Sequence, residues 1–181
     1  MTFEVQSEIP PIAKEIPWIN REQMLEIERA LKDDFGVELA QMIENAGRNL
    51  AHLARGRFCD GEPQGKRVVV LAGTGLNGGG AFVCARRLAG WGASVEVFTT
   101  AEDEAFKGVP GKQLAILREQ GVKIEHAREI DKRKPAETAT TLIIDGIIGY
   151  HLRGAPKDCA AKLIRWANNQ QAPILSLDTP T

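Results

Sequence analysis

Cysteine is scarce in this chain of 181 residues, and the three present, Cys59, Cys84 and Cys159, are scattered without a CxxC spacing. That pattern argues against a zinc site and a disulfide framework, and it fits a reducing compartment. A charge bias is missing too: the formal net charge is −1 and the pI is near 6.3, so nothing draws the chain toward nucleic acid or an anionic membrane. No apolar run approaches bilayer length. The N-terminal MTFEVQSEIPPIAKEIPW lacks the basic start and apolar run of a signal peptide. The expectation is a cytoplasmic protein with neither nucleic acid nor membrane as partner. No internal repeat or low-complexity segment is found, and the length suits one domain with a real core.

What is present is concentrated between residues 66 and 99. The β-branched run Val68, Val69, Val70, Leu71 ends in GTGLNGGG at positions 73–80, a helical apolar pattern follows (Phe82, Ala85, Leu88, Ala89), and a second strand-like run occupies Val95 to Phe98. This is one parallel βαβ unit. Glycines permit positive φ and close approach to the main chain, so a glycine-rich turn feeding a helix start aims backbone N–H groups and the positive helix end at a phosphate or diphosphate. Gly73, Gly75 and Gly78 satisfy G-x-G-x-x-G, a weak signal by itself. Glu96 lies inside the second strand rather than at its carboxyl end, so it reads as a solvated or edge position and not as a ribose-binding acid. A Walker loop is excluded, because no Lys followed by Ser or Thr comes after the glycines. The bland alternative is a tight turn with no ligand, which needs one or two glycines rather than five in eight residues.

Residues 1–19 hold three prolines and read as an extended N-terminal arm. Asn20 and Gln23 form a capping-box pattern before Met24, Ile27 and Leu31, which predicts a helix over 21–33. A second helix over 37–56 carries Leu39, Ile43, Ala46, Leu50 and Leu53. In its segment Met42-Ile-Glu-Asn-Ala-Gly47 the Ala-Gly pair would let a neighbour pack closely, while Glu44 and Asn45 are equally plain helix surface. A long loop is expected over 99–112, a short helix over 113–119, a weak strand over 122–125, and a solvated charged connector over 128–137. A helix over 157–168 separates two buried-strand patterns, 142–145 and 174–178. They end in Asp145-Gly and Asp178-Thr-Pro-Thr181. In a parallel sheet all carboxyl ends lie on one edge, so Asn77, Asp145 and Asp178 are expected to converge there. Each aspartate alone is equally a helix cap. His52 and His126 carry no special role, and His151 reads as a surface-loop histidine.

The stretch from Val69 to Gly79, the sequence Asp145-Gly-Ile-Ile-Gly149-Tyr-His-Leu-Arg-Gly154, and the terminal Ser176-Leu-Asp178-Thr-Pro-Thr181 resemble, in order, the three motifs of the YjeF N-terminal domain family. Its best-known members are NAD(P)H-hydrate epimerases. The segment at 42–47 resembles that family's Met-Glu-Asn-Ala-Gly helix, and the likeness covers 20–181. The resemblance implies an α/β fold, a Rossmann-like three-layer αβα sandwich with a mostly parallel sheet and two N-terminal helices. It also implies binding of hydrated NADH or NADPH and, as an isomerase, interconversion of their R and S forms. Carried over by position, Asp178 is the catalytic acid/base. Substrate contacts fall on Leu76, Asn77, Gly78, Gly79 and Gly80, on Gly149, Tyr150, His151, Leu152, Arg153, Gly154 and Ala155, and on Asp178. A potassium ion would be held by Asn77, Asp145 and Thr181. A homodimer stays open.

The sequence also departs from the pattern. Leu76 replaces an Asn, Gly80 replaces an acidic residue, Arg153 stands where Lys is common, and Thr181 stands where Ser is more frequent. The chain stops inside the third motif, so a domain truncated at its C-terminal end is expected. The competing reading is a degenerate member that binds a nucleotide or a protein partner without turnover. A dehydrogenase, resting on G-x-G-x-x-G alone, is disfavoured by the position of Glu96 and by the short chain.

Overall fold

The computed structural model describes residues 19–132 and 139–181. The expected N-terminal arm therefore lies outside the described residues, apart from Ile19. The first helix, α1 (Arg21–Asp33), starts where its cap dictates: Asn20 Oδ1 accepts from the Gln23 N–H at 2.8 Å, and Gln23 Oε1 accepts from the Asn20 N–H at 2.8 Å. None of its residues is buried. The second, α2 (Leu39–Phe58), runs two residues past Gly56, where nothing lies near enough to break it.

The remaining elements alternate as a doubly covered parallel sheet. They are β1 (Arg67–Ala72), α3 (Leu76–Gly90), β2 (Ser94–Thr99), α4 (Gly108–Glu119), β3 (Lys123–His126), β4 (Leu142–Gly146), α5 (Asp158–Asn168) and β5 (Ile174–Ser176). The strand order is β3-β2-β1-β4-β5, and every pairing is parallel. Because strand side chains alternate between faces, β1 feeds two cores. Val68 and Val70 pack with Phe82, Leu88 and Leu114 under α3 and α4, while Val69 and Leu71 pack with Ile143, Ile130 and Leu163 under α5. These side chains are fully or nearly fully buried, and each contributes about 1.5–3 kcal/mol on removal from water. The Phe82 and Phe106 rings meet at 5.5 Å.

Three expectations change. The helix α4 begins at Gly108 rather than 113, so the loop after β2 is shorter and contains a 3-10 turn, Asp103–Ala105. Pro110 in the first turn is compatible with helix, since no intrahelical bond is asked of its nitrogen. The charged connector is partly structure: Ala127–Lys132 is a 3-10 helix that buries Ala127 and Ile130, and residues 133–138 lie outside the described ones. Glu96 is neither solvated nor at an edge. Its strand runs between β1 and β3, and its carboxylate pairs with Arg67 at 2.8 Å and Lys123 at 3.1 Å, which satisfies a half-buried charge.

The Ala-Gly pair of α2 does what its size permits. A Cβ on Gly47 would stand 2.4 Å from the Gly80 carbonyl and 2.5 Å from Val83 Cβ, so only glycine lets α2 lie this close to α3. Glu44 seals the same contact, reaching Arg86 at 2.6 Å and Arg87 at 2.5 Å, and is no ordinary surface residue. Asn45 is exposed and accepts from Arg48 at 2.6 Å. Burial works to raise the Glu44 carboxyl, but the two guanidiniums overcome it and hold the group below its usual range. A lowered folded-state pKa contributes stability above the unfolded value and loses it as pH falls through the folded one. Glu44→Gln should therefore cost about 1–2 kcal/mol at pH 7 and progressively less in acid. Urea unfolding of both proteins at pH 7 and pH 3 measures this; an equal difference at both pH values would contradict it.

Candidate active site at the carboxyl edge of the sheet

The site begins with how β1 turns into α3. The Gly73 N–H donates to the Gly146 carbonyl at 3.1 Å, Gly75 caps the helix, and α3 starts at Leu76. Gly78, Gly79 and Gly80 thus lie in the first turns of a helix and not in a flexible loop, and positive φ is not what the glycines provide. They provide proximity. A Cβ on Gly73 would sit 1.9 Å from the Ile147 carbonyl oxygen, and one on Gly78 would sit 1.7 Å from the Gly73 oxygen. The turn is pressed against the β4 loop on one side and α3 on the other. The leading N–H groups of α3, which have no intrahelical acceptor, face the strand-end rim with the positive end of the helix dipole.

Asn77 stands in that first turn, and its Nδ2 donates to the Leu177 carbonyl at 2.9 Å. Across from it, Gly149 leaves a gap that no side chain could enter. Its Cβ would lie 2.7 Å from both Asn77 Nδ2 and Oδ1 and 2.6 Å from Asp178 Oδ2. Asn77 and Asp178, 101 positions apart by their numbers, therefore line one spot. Asp178 is exposed, holds a left-handed backbone with φ of 72°, and accepts from the Tyr150 N–H at 2.9 Å. Aspartate tolerates this conformation better than most residues, which places a carboxylate where a bulkier side chain would be strained.

Asp145 is the last residue but one of β4, in register with Leu71 and Ser176, so its side chain lies on the α5 face of the sheet. It is 6% exposed. Four protein donors reach its carboxylate: the Ile147 N–H at 3.1 Å, the Ser176 hydroxyl at 3.0 Å, the Thr181 N–H at 3.0 Å and the Thr181 hydroxyl at 2.8 Å. Thr181 Oγ1 also lies 3.1 Å from the Ile148 carbonyl. One hydroxyl proton cannot serve both Asp145 and Ile148 at once, and the same oxygens also accept from main-chain donors, Asp145 Oδ1 from the Ile147 N–H and Thr181 Oγ1 from the Ile148 N–H at 3.4 Å.

Of the second loop, Gly149 and Tyr150 are half-buried, whereas His151, Leu152, Arg153, Gly154 and Ala155 are exposed. The Tyr150 and His151 rings stack at 4.1 Å. Burial pushes the Tyr150 phenol well above its usual range, and the Glu28 and Asp178 carboxylates beside it push the same way. Glu28 of α1, a residue the sequence does not single out, is among the groups that raise it, and the phenol oxygen itself is buried with no hydrogen-bond partner among the described residues. Ser176 and Leu177 were likewise given no role by sequence, although Ser176 could have been found from its strand register with Asp145. Leu76 is half-buried at the start of α3, with Gly78, Gly79 and Gly80 buried behind it.

Asn77, Asp178 and Gly149 therefore form one group, and Asp145, Thr181 and Ser176 form a neighbouring one. The segments 147–150 and 176–181 join them. A cavity of about 220 Å3 opens beside the second group, lined by Leu71, Asp145, Ile164, Ile174, Ser176 and Thr181 among others. Neither Asn77, Asp178 nor any residue of 149–155 lines it. Its walls are mostly apolar, with Asp145, Asn168, Ser176 and Thr181 as the polar members, and the Asp178 acid and the Asn77 amide lie outside it.

A parallel sheet wound on both faces, with a glycine-tightened helix start and an acidic residue at its carboxyl rim, is a Rossmann-like architecture. The model of the family described as YjeF-related protein N-terminus matches residues 39–181, and the chain belongs to that family. It is similar to the NAD(P)H-hydrate epimerase of Dehalogenimonas lykanthroporepellens, 41% identical over 158 residues, which are 87% of this chain and 62% of that protein. It is also similar to the NAD(P)H-hydrate epimerase of Truepera radiovictrix, 34% identical over 148 residues, 81% of this chain and 62% of that one. The chain thus spans about three fifths of these curated relatives. The crystal structure of yeast ynu0, YNL200c, matches with a TM-score of 0.75 at 28% identity, covering 92% of this chain and 71% of the yeast one.

Proposed function

We propose that this protein is an NAD(P)H-hydrate epimerase, binding hydrated NADH or NADPH at the carboxyl rim of the sheet and interconverting the R and S forms at the hydrated ring carbon. The observation that carries this reading is the meeting of Asn77 and Asp178 at Gly149, beside the N-terminus of α3. Inverting that carbon requires loss and return of its hydroxyl, or opening and closure of the ring, and either route needs a group that takes up and returns a proton. Asp178 is that group: it is open to solvent, and its Oδ2 accepts from the Tyr150 N–H. Asn77 orients the reacting end, the leading N–H groups of α3 receive the diphosphate, and the loop from Gly149 to Ala155 covers the nucleotide, with Arg153 supplying a positive charge. The names of the relatives support the substrate class.

The donors also suit a potassium ion. Asn77 Oδ1, the Asp145 carboxylate and Thr181 Oγ1 are all hard oxygen ligands, and the Ile148 carbonyl beside Thr181 Oγ1 is a fourth. Bound there, the ion would neutralise Asp145 and steady the oxygens around it. Because anything that binds only the folded state stabilises it by mass action, potassium should raise the melting temperature more than equimolar sodium. Identical melting curves in the two salts would remove the ion from the account.

The reading is tested by mixing the protein with the separated S and R hydrates of NADH and following their exchange by chromatography. A second reading, binding without turnover, is favoured by Leu76 and Gly80, which present neither donor nor carboxylate. Tight binding of the hydrates with no exchange would establish it in place of the first.

A further inference from the structure

Leu177 is held in three directions at once. Its N–H donates to the Asp145 carbonyl at 2.8 Å, continuing the β4–β5 ladder, and its carbonyl accepts from Asn77 Nδ2 at 2.9 Å and from the Thr179 N–H at 3.0 Å. Its side chain meets α3 where Gly80 has no side chain of its own: a Cβ there would come within 2.5 Å of Leu177 Cδ2. The next residue is Asp178, in its left-handed conformation. A carbonyl only accepts hydrogen bonds, so its contact with Asn77 settles which way the amide points, with nitrogen toward residue 177 and oxygen free for another partner.

We infer that Leu177 is a positioning residue whose side chain, wedged into the space left by Gly80, sets the carbonyl that orients the Asn77 amide and the start of the turn that presents Asp178. This inference rests on the proposed epimerase reading. Its physical content is that the segment meets α3 through the bond from Asn77 to the Leu177 carbonyl and through the Leu177 side chain against Gly80. β5 is a three-residue edge strand, so a packed side chain is what fixes its distance from the helix.

The pair Gly80 and Leu177 can be separated from mere stability. Gly80→Ala should strengthen α3 through its better helix propensity, yet its methyl group must push Leu177 aside. The expected result is a fall in kcat on the order of tenfold with an unchanged or higher Tm, since small displacements of positioning groups cost that much or more. Leu177→Ala should give a similar fall, because the wedge is lost. The double variant Gly80→Ala/Leu177→Ala, in which one methyl group fills part of the space the other residue vacates, should recover kcat to within about threefold of the wild type. A double variant that shows the product of the two single losses, or single variants that change Tm or KM but leave kcat alone, would overturn the inference.

A second readout does not depend on turnover. The Asn77 side-chain amide protons, followed by NMR, should exchange slowly in the wild type and the double variant and quickly in both single variants. Equal exchange in all four proteins would overturn the wedge. Absence of epimer exchange in the wild type with the amide pattern intact would overturn the epimerase reading alone.

Discussion

Asp178→Asn is expected to lower the rate of epimer exchange by about 10²–10⁴, the span that a positioned acid/base group supplies, while leaving the fold in place. The choice of asparagine follows from the backbone. Asp178 sits at φ of 72°, a region asparagine enters about as readily as aspartate, whereas alanine would add strain to the lost chemistry. The amide oxygen can still accept from the Tyr150 N–H, which now reaches Asp178 Oδ2 at 2.9 Å. Stability should therefore change by less than about 0.5 kcal/mol, as for exposed positions generally. What disappears is the carboxylate proposed to take up and return the proton. Chromatographic exchange together with a circular-dichroism melt reads both halves. Full activity in the variant would take the proton-transfer role away from Asp178.

Gly78→Ala is expected to destabilise the protein by about 3 kcal/mol, the upper end of what overpacking usually costs and more than a single methyl group would lead one to suppose. Its Cβ would lie 1.7 Å from the Gly73 oxygen and 2.8 Å from the Gly73 carbonyl carbon. Those are backbone atoms, pinned by the bond from the Gly73 N–H to Gly146, so no rotamer change relieves the overlap. Either α3 tilts away from the turn or β1 is pulled from β4, and both move Asn77. Gly75→Ala is the internal control: it stands in open space with a negative φ, and the loss should stay within about 1 kcal/mol, the usual value of an N-cap change. Chemical unfolding of both variants gives the comparison. Equal stabilities would mean that glycines are used here for some reason other than closeness.

The contrast between the two glycines shows where sequence reading succeeds and where it stops. The strands were legible because a parallel sheet covered on both faces needs continuous apolar runs, and Val68 to Leu71 and Leu142 to Ile144 supply them. The start of α1 was legible because Asn20 and Gln23 form a local device. The meeting of distant residues at one rim was legible too, since parallel strands must all end on the same edge, and Asn77 and Asp178 do meet there. The start of α3 was hidden: three consecutive glycines have poor helix propensity and read as a turn, and tertiary packing against Gly73, Pro110, Leu177 and α2 makes them helix. Glu96 was misjudged because its partners, Arg67 and Lys123, come from strands whose order no local pattern records. Glu28, Ser176 and Leu177 escaped notice for the same reason, their importance arising from neighbours far away in the chain.

The most direct test of the central claim is a crystal structure of the protein soaked with hydrated NADH. The account predicts the hydrated ring against Asn77, Gly149 and Asp178, with the diphosphate at the N-terminus of α3. A nucleotide found instead in the cavity under α5, between Leu71, Ile164 and Ile174, would contradict it.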